Sequence, residues 1–202
     1  MSSPAAPAGL PTSEARIGPN AILQLVPVLD AHTGPELRQA LLSEAGIVTL
    51  PDNSGLIPEA PAAALHQVMR RRLPHRAAEM AREAGLATGD YILAHRIPLR
   101  AQSVLRRLPG WAAAPILARA IARHAWTFAG SGRFSIERYR PLVFALQDNP
   151  VVRGEHSDTP LCHWHAAVFE RLFQNLIWPQ AHVQEVTCCA MGADACRFSI
   201  QP

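Results

Sequence analysis

The stretch HVQEVTCCAMGADACRFSI, residues 182–200, carries most of the information on the fold. Apolar and polar residues alternate from His182 to Ala190 and again from Cys196 to Ile200, which predicts two β-strands. The residues Gly192-Ala193-Asp194 between them are typical of a turn. We therefore expect a hairpin that contains three of the four cysteines of the chain.

The residues before this hairpin predict the rest of a sheet. An apolar stripe at helical spacing predicts a helix from about His163 to Ile177, which ends before Pro179. Upstream, alternating apolar residues predict two more strands, one around Phe134 and Ile136 and one from Leu142 to Leu146. The order strand, strand, helix, strand, strand favours an α+β fold with a four-stranded antiparallel sheet in residues 131–202.

Proline and glycine divide the first half of the chain into helices, so residues 18–130 are predicted to be a helical segment that forms one compact domain with residues 131–202. A first helix is expected from Asn20 to Leu29. A second begins with a capping box at Thr33 and Glu36 and ends at Gly46. Four short helices are expected between Pro58 and Phe128, with breaks at Pro74, Gly85, Pro98 and Pro109. Residues 1–17, with three prolines, are expected to be a disordered extension.

The composition excludes several classes of protein. Of the 202 residues, 49% are hydrophobic and 17% charged, which suits a globular domain. The net charge of +3 and the spread of basic residues do not indicate nucleic-acid binding. No signal peptide and no membrane-spanning run is found, so we expect a cytoplasmic protein without a membrane span. In that reducing compartment the cysteines are expected to be thiols or metal ligands, not disulfides.

Cys162, Glu185, Cys188 and Cys196 form a candidate metal site. Three thiolates and one carboxylate can complete a tetrahedral shell, and thiolates favour zinc over magnesium or calcium. On a regular strand Glu185 and Cys188 point to opposite faces, so a bulge or a strand end is required. A Cys3Glu shell around Zn²⁺ carries a formal charge of −2, which Arg153 or Arg197 could offset. The alternative is that the cysteines are ordinary buried thiols of a sheet.

The spacing Glu185-x2-Cys188-x3-Gly192-x3-Cys196-x-Phe198 resembles the closing signature of the 4-vinyl reductase domain family. This domain also occurs in the sensor regions of phenol-responsive transcriptional activators, where one Cys, one Glu and two further Cys bind zinc. The resemblance therefore implies a zinc site at Cys162 and the three residues of the signature. Four protein ligands leave no open position, so the zinc is expected to be structural.

Residues 121–134, IARHAWTFAGSGRF, are similar to the bacteriochlorophyll-biosynthesis branch of this family. The resemblance implies a role at the stage where the C8 vinyl group of a chlorophyllide-type intermediate is reduced. We expect the chain to bind this magnesium tetrapyrrole in an apolar pocket, as a carrier or accessory factor that works with other enzymes of the pathway. His124 is the candidate axial ligand of magnesium, and Arg133 and Arg138 are candidates to pair with propionates. The aromatic lining is expected from Trp126, Phe128 and Phe134.

Two other functions remain open from the sequence. In the first, the chain is the vinyl reductase itself. However, Gly130-Ser131-Gly132 is followed by Ser135 where a dinucleotide fingerprint has its third glycine, and it precedes a strand instead of following one. In the second, the chain is a ligand-sensing or scaffold module without catalysis. Apolar helices in the first half would also suit a homodimer.

Overall fold

Residues 15–202, which the computed structural model describes, divide into a helical first half and a sheet in the second half. The elements in chain order are β1 (Arg16–Ile17), α1 (Asn20–Leu23), α2 (Leu25–Glu44), β2 (Ile57–Pro58), α3 (Glu59–Arg72), α4 (Ala77–His95), α5 (Leu99–Arg107), α6 (Gly110–Arg123), β3 (Arg133–Tyr139), β4 (Leu142–Gln147), α7 (His163–Leu176), β5 (His182–Thr187) and β6 (Cys196–Gln201). The predicted α+β class is confirmed.

The main sheet is antiparallel, with the strand order β3-β4-β6-β5. Strand β6 lies in the middle because it pairs with β4 on one side and β5 on the other. The inward faces of the strands present Phe134, Phe144 and Phe198, whose rings pack with Phe169 of α7 at centroid distances of 5.1–6.0 Å. Aromatic pairs at such distances add to the stability gained from burial.

Helix α7 is enclosed from two sides, by the sheet and by α4. Ten of its fourteen residues are buried. Two glycines of α4, Gly85 and Gly89, allow the close approach: a Cβ atom on Gly85 would lie 2.7 Å from Ala167 Cβ and would also collide with the Trp164 carbonyl oxygen. The predicted helix break at Gly85 is therefore wrong. Gly85 lies inside α4, where its missing side chain makes room for α7.

The other predicted helix breaks agree more closely with the structure. Helices α3 to α6 are separated near Pro74, Pro98 and Pro109, as expected for a residue that lacks an amide hydrogen and clashes with the preceding turn. Helix α2 is broken at Gly34, whose φ of 80° and ψ of 165° are not helical. The capping role of Thr33 is wrong, because its hydroxyl donates backward to the Leu29 carbonyl at 2.8 Å.

The first described residues are attached to the helical half. Arg16 and Ile17 pair antiparallel with Ile57 and Pro58, and Ile17 is buried. Both residues fall within the predicted extension, of which residues 1–14 lie outside the described part of the chain. None of the helices in residues 15–202 has the length and apolar character needed to cross a bilayer.

Candidate metal centre

Four segments of the chain bring the candidate metal ligands together at one end of the sheet. Cys162 precedes the first residue of α7, Glu185 lies on β5, Cys188 follows β5, and Cys196 begins β6. Their ligand atoms all lie within 4.8 Å of one another, and all four residues are buried. The Sγ–Sγ distances are 3.4 Å for Cys162–Cys196 and 3.9 Å for each of the pairs with Cys188. Side chains that are distant along the chain thus share one small volume.

An irregularity of β5 allows Glu185 and Cys188 to face the same volume. Glu185 pairs with Phe198 and Thr187 pairs with Arg197, so the register shifts and Val186 is the extra residue of the β5 bulge. Strand β5 ends at Thr187, which leaves Cys188 outside the regular ladder. The strand irregularity that the sequence required is therefore present in the structure.

The Glu185 carboxylate has one oxygen anchored and one without a partner. Oε2 accepts a hydrogen bond from the Cys162 backbone N–H at 2.7 Å. Oε1 is buried and has no hydrogen-bond partner within the described residues. Burial, followed by the negative charge of Cys188, raises the pKa of Glu185 to about 8. A cation among the four residues would reverse this shift and would satisfy the free oxygen.

Asn149 is a contributor to the site that the sequence did not predict. Its side chain is buried, and Nδ2 donates to Cys162 Sγ at 3.2 Å and lies 3.6 Å from Cys196 Sγ. Its Oδ1 accepts from the Val151 backbone N–H, which fixes the orientation of the amide. In the sequence Asn149 stands before Pro150 and only indicates a turn. No signal in the sequence connects it with the cysteines.

The electrostatics of the thiols also depend on their surroundings. Burial raises the pKa of Cys162 well above its usual value. Hydrogen bonds from Cys162 and Cys196 lower the pKa of Cys188, which makes it the first of the three to ionise.

The charge compensation expected from two arginines is not seen. Arg197 pairs with Glu137 and Asp194, and Arg153 pairs with Glu59. Hydrogen-bond donors approach the sulfurs instead. They are the Asn149 amide and the Cys189 backbone N–H, which lies 3.3 Å from Cys196 Sγ.

The geometry fits a tetrahedral metal ion. Zinc–sulfur bonds of about 2.3 Å require sulfur atoms about 3.8 Å apart. The observed distances of 3.4–3.9 Å are close to that value. The buried cluster of three thiols and one carboxyl group could therefore hold a metal ion. The fourth cysteine, Cys189, is only half-buried, and its Sγ lies 3.8 Å from the Leu146 carbonyl oxygen outside the cluster.

The candidate tetrapyrrole residues divide into a surface group and a core pair. His124, Trp126, Arg133 and Arg138 are exposed. Phe128 and Phe134 pack edge to face at a centroid distance of 5.1 Å. Arg133 forms an ion pair with Asp148 at 2.9 Å. The structure therefore does not line a single pocket with all six residues.

Two cavities of the described residues lie elsewhere. One, of about 210 Å³, lies between α3 and the segment around Pro150 and Arg153. Another, of about 150 Å³, is lined by Ile22, Ile47 and Ile57 among others. Pockets for drug-sized ligands measure about 300–1,000 Å³. Neither cavity has the volume for a porphyrin ring, and neither includes a candidate tetrapyrrole residue.

Residues 142–202 match the 4-vinyl reductase domain, so the match includes the strands β4, β5 and β6, helix α7 and all four candidate ligands. The chain belongs to the 4-vinyl reductase domain family, and its similarity to known proteins extends well beyond the matched segment.

Two relatives show this extended similarity. The bacteriochlorophyll synthase 23 kDa chain of Cereibacter sphaeroides is 56% identical over 194 residues, which cover 96% of this chain and 94% of that protein. The protein of the same name from Rhodobacter capsulatus is 48% identical over 189 residues, which cover 94% and 88%, respectively. The helical half and the sheet therefore both have counterparts in these relatives.

Solved structures share the fold at low sequence identity. An H-NOX protein from K. algicida in the Fe(II) unliganded state has a TM-score of 0.59 at 9% identity, and the match covers 92% of this chain and 96% of that one. The phenol-responsive sensory domain of the transcription activator PoxR, with phenol, has a TM-score of 0.54 at 14% identity, and the match covers 82% and 90%. These likenesses establish the arrangement of helices and sheet.

Proposed function

We propose that Cys162, Glu185, Cys188 and Cys196 hold a structural zinc ion. The unpartnered Oε1 of Glu185 and the sulfur spacing support this proposal. When bound, zinc would supply a fixed link between the start of α7, the end of β5 and the start of β6. With four protein ligands no coordination position is left for a substrate, so the ion stabilises the fold and takes no part in a reaction.

Elemental analysis of the purified protein tests the zinc site. We expect about one zinc per chain in the wild type and in Cys189→Ser, because Cys189 lies outside the cluster. Cys162→Ser is expected to lose most of the metal and to melt at a lower temperature. Full zinc occupancy of Cys162→Ser, or loss of zinc from Cys189→Ser alone, would contradict the assignment. Cys189→Ser is the matched control because it also exchanges one sulfur for oxygen beside the cluster.

We further propose that the chain acts in bacteriochlorophyll biosynthesis by binding a magnesium tetrapyrrole of the chlorophyllide type, as a carrier or accessory factor. The names of the two relatives support the pathway. The supporting observation in this chain is the state of His124. Its Nδ1 lies 2.9 Å from the Ala120 carbonyl oxygen, which can only accept a hydrogen bond. Nδ1 therefore donates, and Nε2 keeps its lone pair free on an exposed ring.

An imidazole in this state suits an axial ligand of magnesium, because a hydrogen bond from the other ring nitrogen orients the ring and increases its basicity. Trp126 follows His124 on the same surface with half of its side chain exposed, so its ring is available for contact with a macrocycle. The rings of Phe128 and Phe134 join this turn to β3, where Arg138 is exposed and has no ion pair within residues 15–202. The pigment would then bind at the surface and not in the enclosed pocket that the sequence suggested.

An absorbance titration with magnesium protoporphyrin and chlorophyllide tests pigment binding. We expect a shift of the Soret band with the wild type, a loss of affinity of about tenfold or more in His124→Ala, and partial recovery with added imidazole. His75→Ala is the matched control, since His75 is also an exposed histidine of the helical half. Unchanged spectra for every pigment, or an equal loss in both variants, would contradict pigment binding at His124.

The same samples separate the carrier from the reductase. If the chain itself reduced the vinyl group, addition of NADPH or another reductant would convert bound pigment to its ethyl form, detected by chromatography. A carrier is expected to return the pigment unchanged. Conversion by wild-type protein would replace the carrier proposal with the reductase.

A further inference from the structure

The basic residues of the chain are distributed very unevenly. All 19 are arginines, and residues 91–147 contain nine of them but a single carboxylate, Glu137. Glu137 is itself paired with Arg197 of β6 at 2.7 Å, so it does not offset the charge of this segment. The nine are Arg96, Arg100, Arg106, Arg107, Arg119, Arg123, Arg133, Arg138 and Arg140.

The arginines of this segment also differ from the others in their contacts. Within residues 15–202, only Arg133 of the nine forms an ion pair with a carboxylate. Of the ten arginines outside the segment, eight are paired with Asp or Glu. Unpaired positive charge is thus concentrated on α5, α6 and β3. A surface of this kind attracts a partner of opposite charge.

The outward faces of α5 and α6 combine these arginines with exposed apolar side chains. Helix α5 buries Gln102 and Leu105 and turns Arg100, Val104 and Arg107 outward, at spacings of four and three residues. Helix α6 buries five apolar residues and turns Ile116, Arg119 and Arg123 outward, at spacings of three and four residues. We call these six outward residues the α5–α6 face.

Tryptophan and leucine at the two helix starts extend the apolar part of this surface. Trp111 at the start of α6 is 69% exposed, and Leu99 at the start of α5 is 77% exposed. Both are among the large hydrophobic side chains that the fold leaves most open to solvent. Arginine, tryptophan and aliphatic side chains together are typical of helices that lie at a membrane surface.

We propose that the α5–α6 face docks on the surface of an anionic lipid bilayer. The arginines would reach the lipid phosphates, while Val104, Ile116 and Trp111 enter the boundary between headgroups and acyl chains. An acidic protein partner fits less well, because the centres of protein interfaces are depleted of charge. On this face the arginines alternate with the apolar side chains along each helix and leave no uncharged centre.

This proposal is independent of the zinc and pigment proposals, because no residue of the α5–α6 face belongs to either site. Docking would bring the protein to the phase in which apolar pigments dissolve. The absence of a membrane-spanning helix from the described residues is compatible with docking, since a surface-bound helix lies parallel to the bilayer.

Co-sedimentation of the full chain with lipid vesicles tests the docking. We expect strong binding to vesicles with about 30 mol% phosphatidylglycerol, weak binding to pure phosphatidylcholine, and release at high salt. Arg100→Gln/Arg107→Gln is expected to bind anionic vesicles roughly thirtyfold more weakly, from about 1 kcal/mol per arginine. Val104→Ser is expected to weaken binding several-fold. Brominated acyl chains should quench the wild type more than Trp111→Phe.

The matched control is Arg71→Gln/Arg72→Gln, which removes two exposed arginines of α3 that pair with Glu44. It is expected to bind vesicles like the wild type. Equal binding of wild type to neutral and anionic vesicles would overturn the proposal, as would an equal loss in both double variants. Binding to a polyglutamate peptide or an RNA oligomer without binding to vesicles would assign the face to a macromolecular partner instead. Circular dichroism verifies that each variant is folded.

Discussion

Asn149 is the residue with the largest expected effect on the metal centre among those that are not ligands. Its amide contacts two sulfurs, Cys162 Sγ at 3.2 Å and Cys196 Sγ at 3.6 Å. Outer partners of this kind orient metal ligands, and their loss costs about 10–100-fold in metal affinity. We expect Asn149→Ala to weaken zinc binding by about tenfold or more. Competition with a chromogenic chelator measures this change.

The control for Asn149→Ala is Asn175→Ala, which also removes a side-chain amide. The amide of Asn175 donates only to the Arg171 carbonyl of its own helix, so the zinc affinity of this variant is expected to equal that of the wild type. If Asn149→Ala released zinc no more readily than Asn175→Ala, the amide would have no influence on the thiolates.

Two buried histidines make the stability of the fold depend on pH. Burial lowers the pKa of His66 to about 3 and that of His165 to about 4, and the Nδ1 atoms of both lack a hydrogen-bond partner within the described residues. Because the unfolded chain binds these protons near pH 6.5, stability is fully present above that pH and is lost as the pH falls toward the folded pKa values. Between pH 7 and pH 5 the loss is about 2 kcal/mol per histidine.

Urea denaturation at several pH values measures this dependence. His66→Gln keeps a donor for the Ala21 carbonyl, which accepts from Nε2 at 3.0 Å, and removes the titration, so we expect about half of the pH effect of the two histidines to disappear. His75→Gln, at an exposed position, should retain the wild-type pH dependence. Zinc content is measured at each pH, because protonated thiols release metal. An unchanged slope in His66→Gln would show that His66 is already protonated in the folded state.

At the scale of the elements, the contact between α4 and α7 depends on Gly85. Alanine is favoured over glycine in a helix by about 1 kcal/mol. Here a Cβ atom would collide with the Trp164 carbonyl and with Ala167 Cβ, both on α7. Overpacking costs about 1–3 kcal/mol, and the Trp164 carbonyl belongs to the backbone and cannot rotate away. We therefore expect Gly85→Ala to lower the free energy of unfolding by about 1–2 kcal/mol, measured by urea denaturation.

Gly55 offers the control for this substitution, because a Cβ atom there meets nothing within 4 Å. Gly55→Ala is expected to leave stability unchanged or slightly increased. A Gly85→Ala protein more stable than the wild type would mean that α4 and α7 can separate at little cost.

The elements also show what a sequence can and cannot predict. Pro74, Pro98 and Pro109 end helices through their own chemistry, so their effects were predictable. The role of Gly85 depends on α7, which is distant along the chain, and a local pattern cannot contain it. The four candidate ligands could be named because their spacing matches a family signature, and the need for a bulge followed from strand parity alone. Asn149 could not be named, since its contacts arise only from the folding of distant segments.

For the whole molecule, Glu59 joins the helical half to the sheet half. This buried residue at the start of α3 accepts hydrogen bonds from the Ser131 backbone at 2.6 Å and from the Ser131 hydroxyl at 2.7 Å, and it pairs with Arg153 at 3.1 Å. Glu59→Gln removes the charge and turns one acceptor into a donor. Because hydrogen bonds to charged groups contribute about 1.5–3 kcal/mol, we expect a loss of about 2 kcal/mol in the free energy of unfolding.

Glu137→Gln is the control for Glu59→Gln, since it breaks an exposed ion pair with Arg197 and should cost less than about 1 kcal/mol. Denaturation followed by far-ultraviolet circular dichroism and by tryptophan fluorescence measures both variants. A Glu59→Gln protein as stable as Glu137→Gln would indicate that the two halves are joined by apolar packing alone.

The enclosure of α7 between α4 and the sheet has a consequence for the motions of the protein. A helix with ten of fourteen residues buried exposes its amides only when neighbouring elements separate. Its amide hydrogens should therefore exchange with deuterium more slowly than those of α5, which has two buried residues among nine. Exchange in α7 would then report the opening of the entire fold, and exchange in α5 would report local fraying.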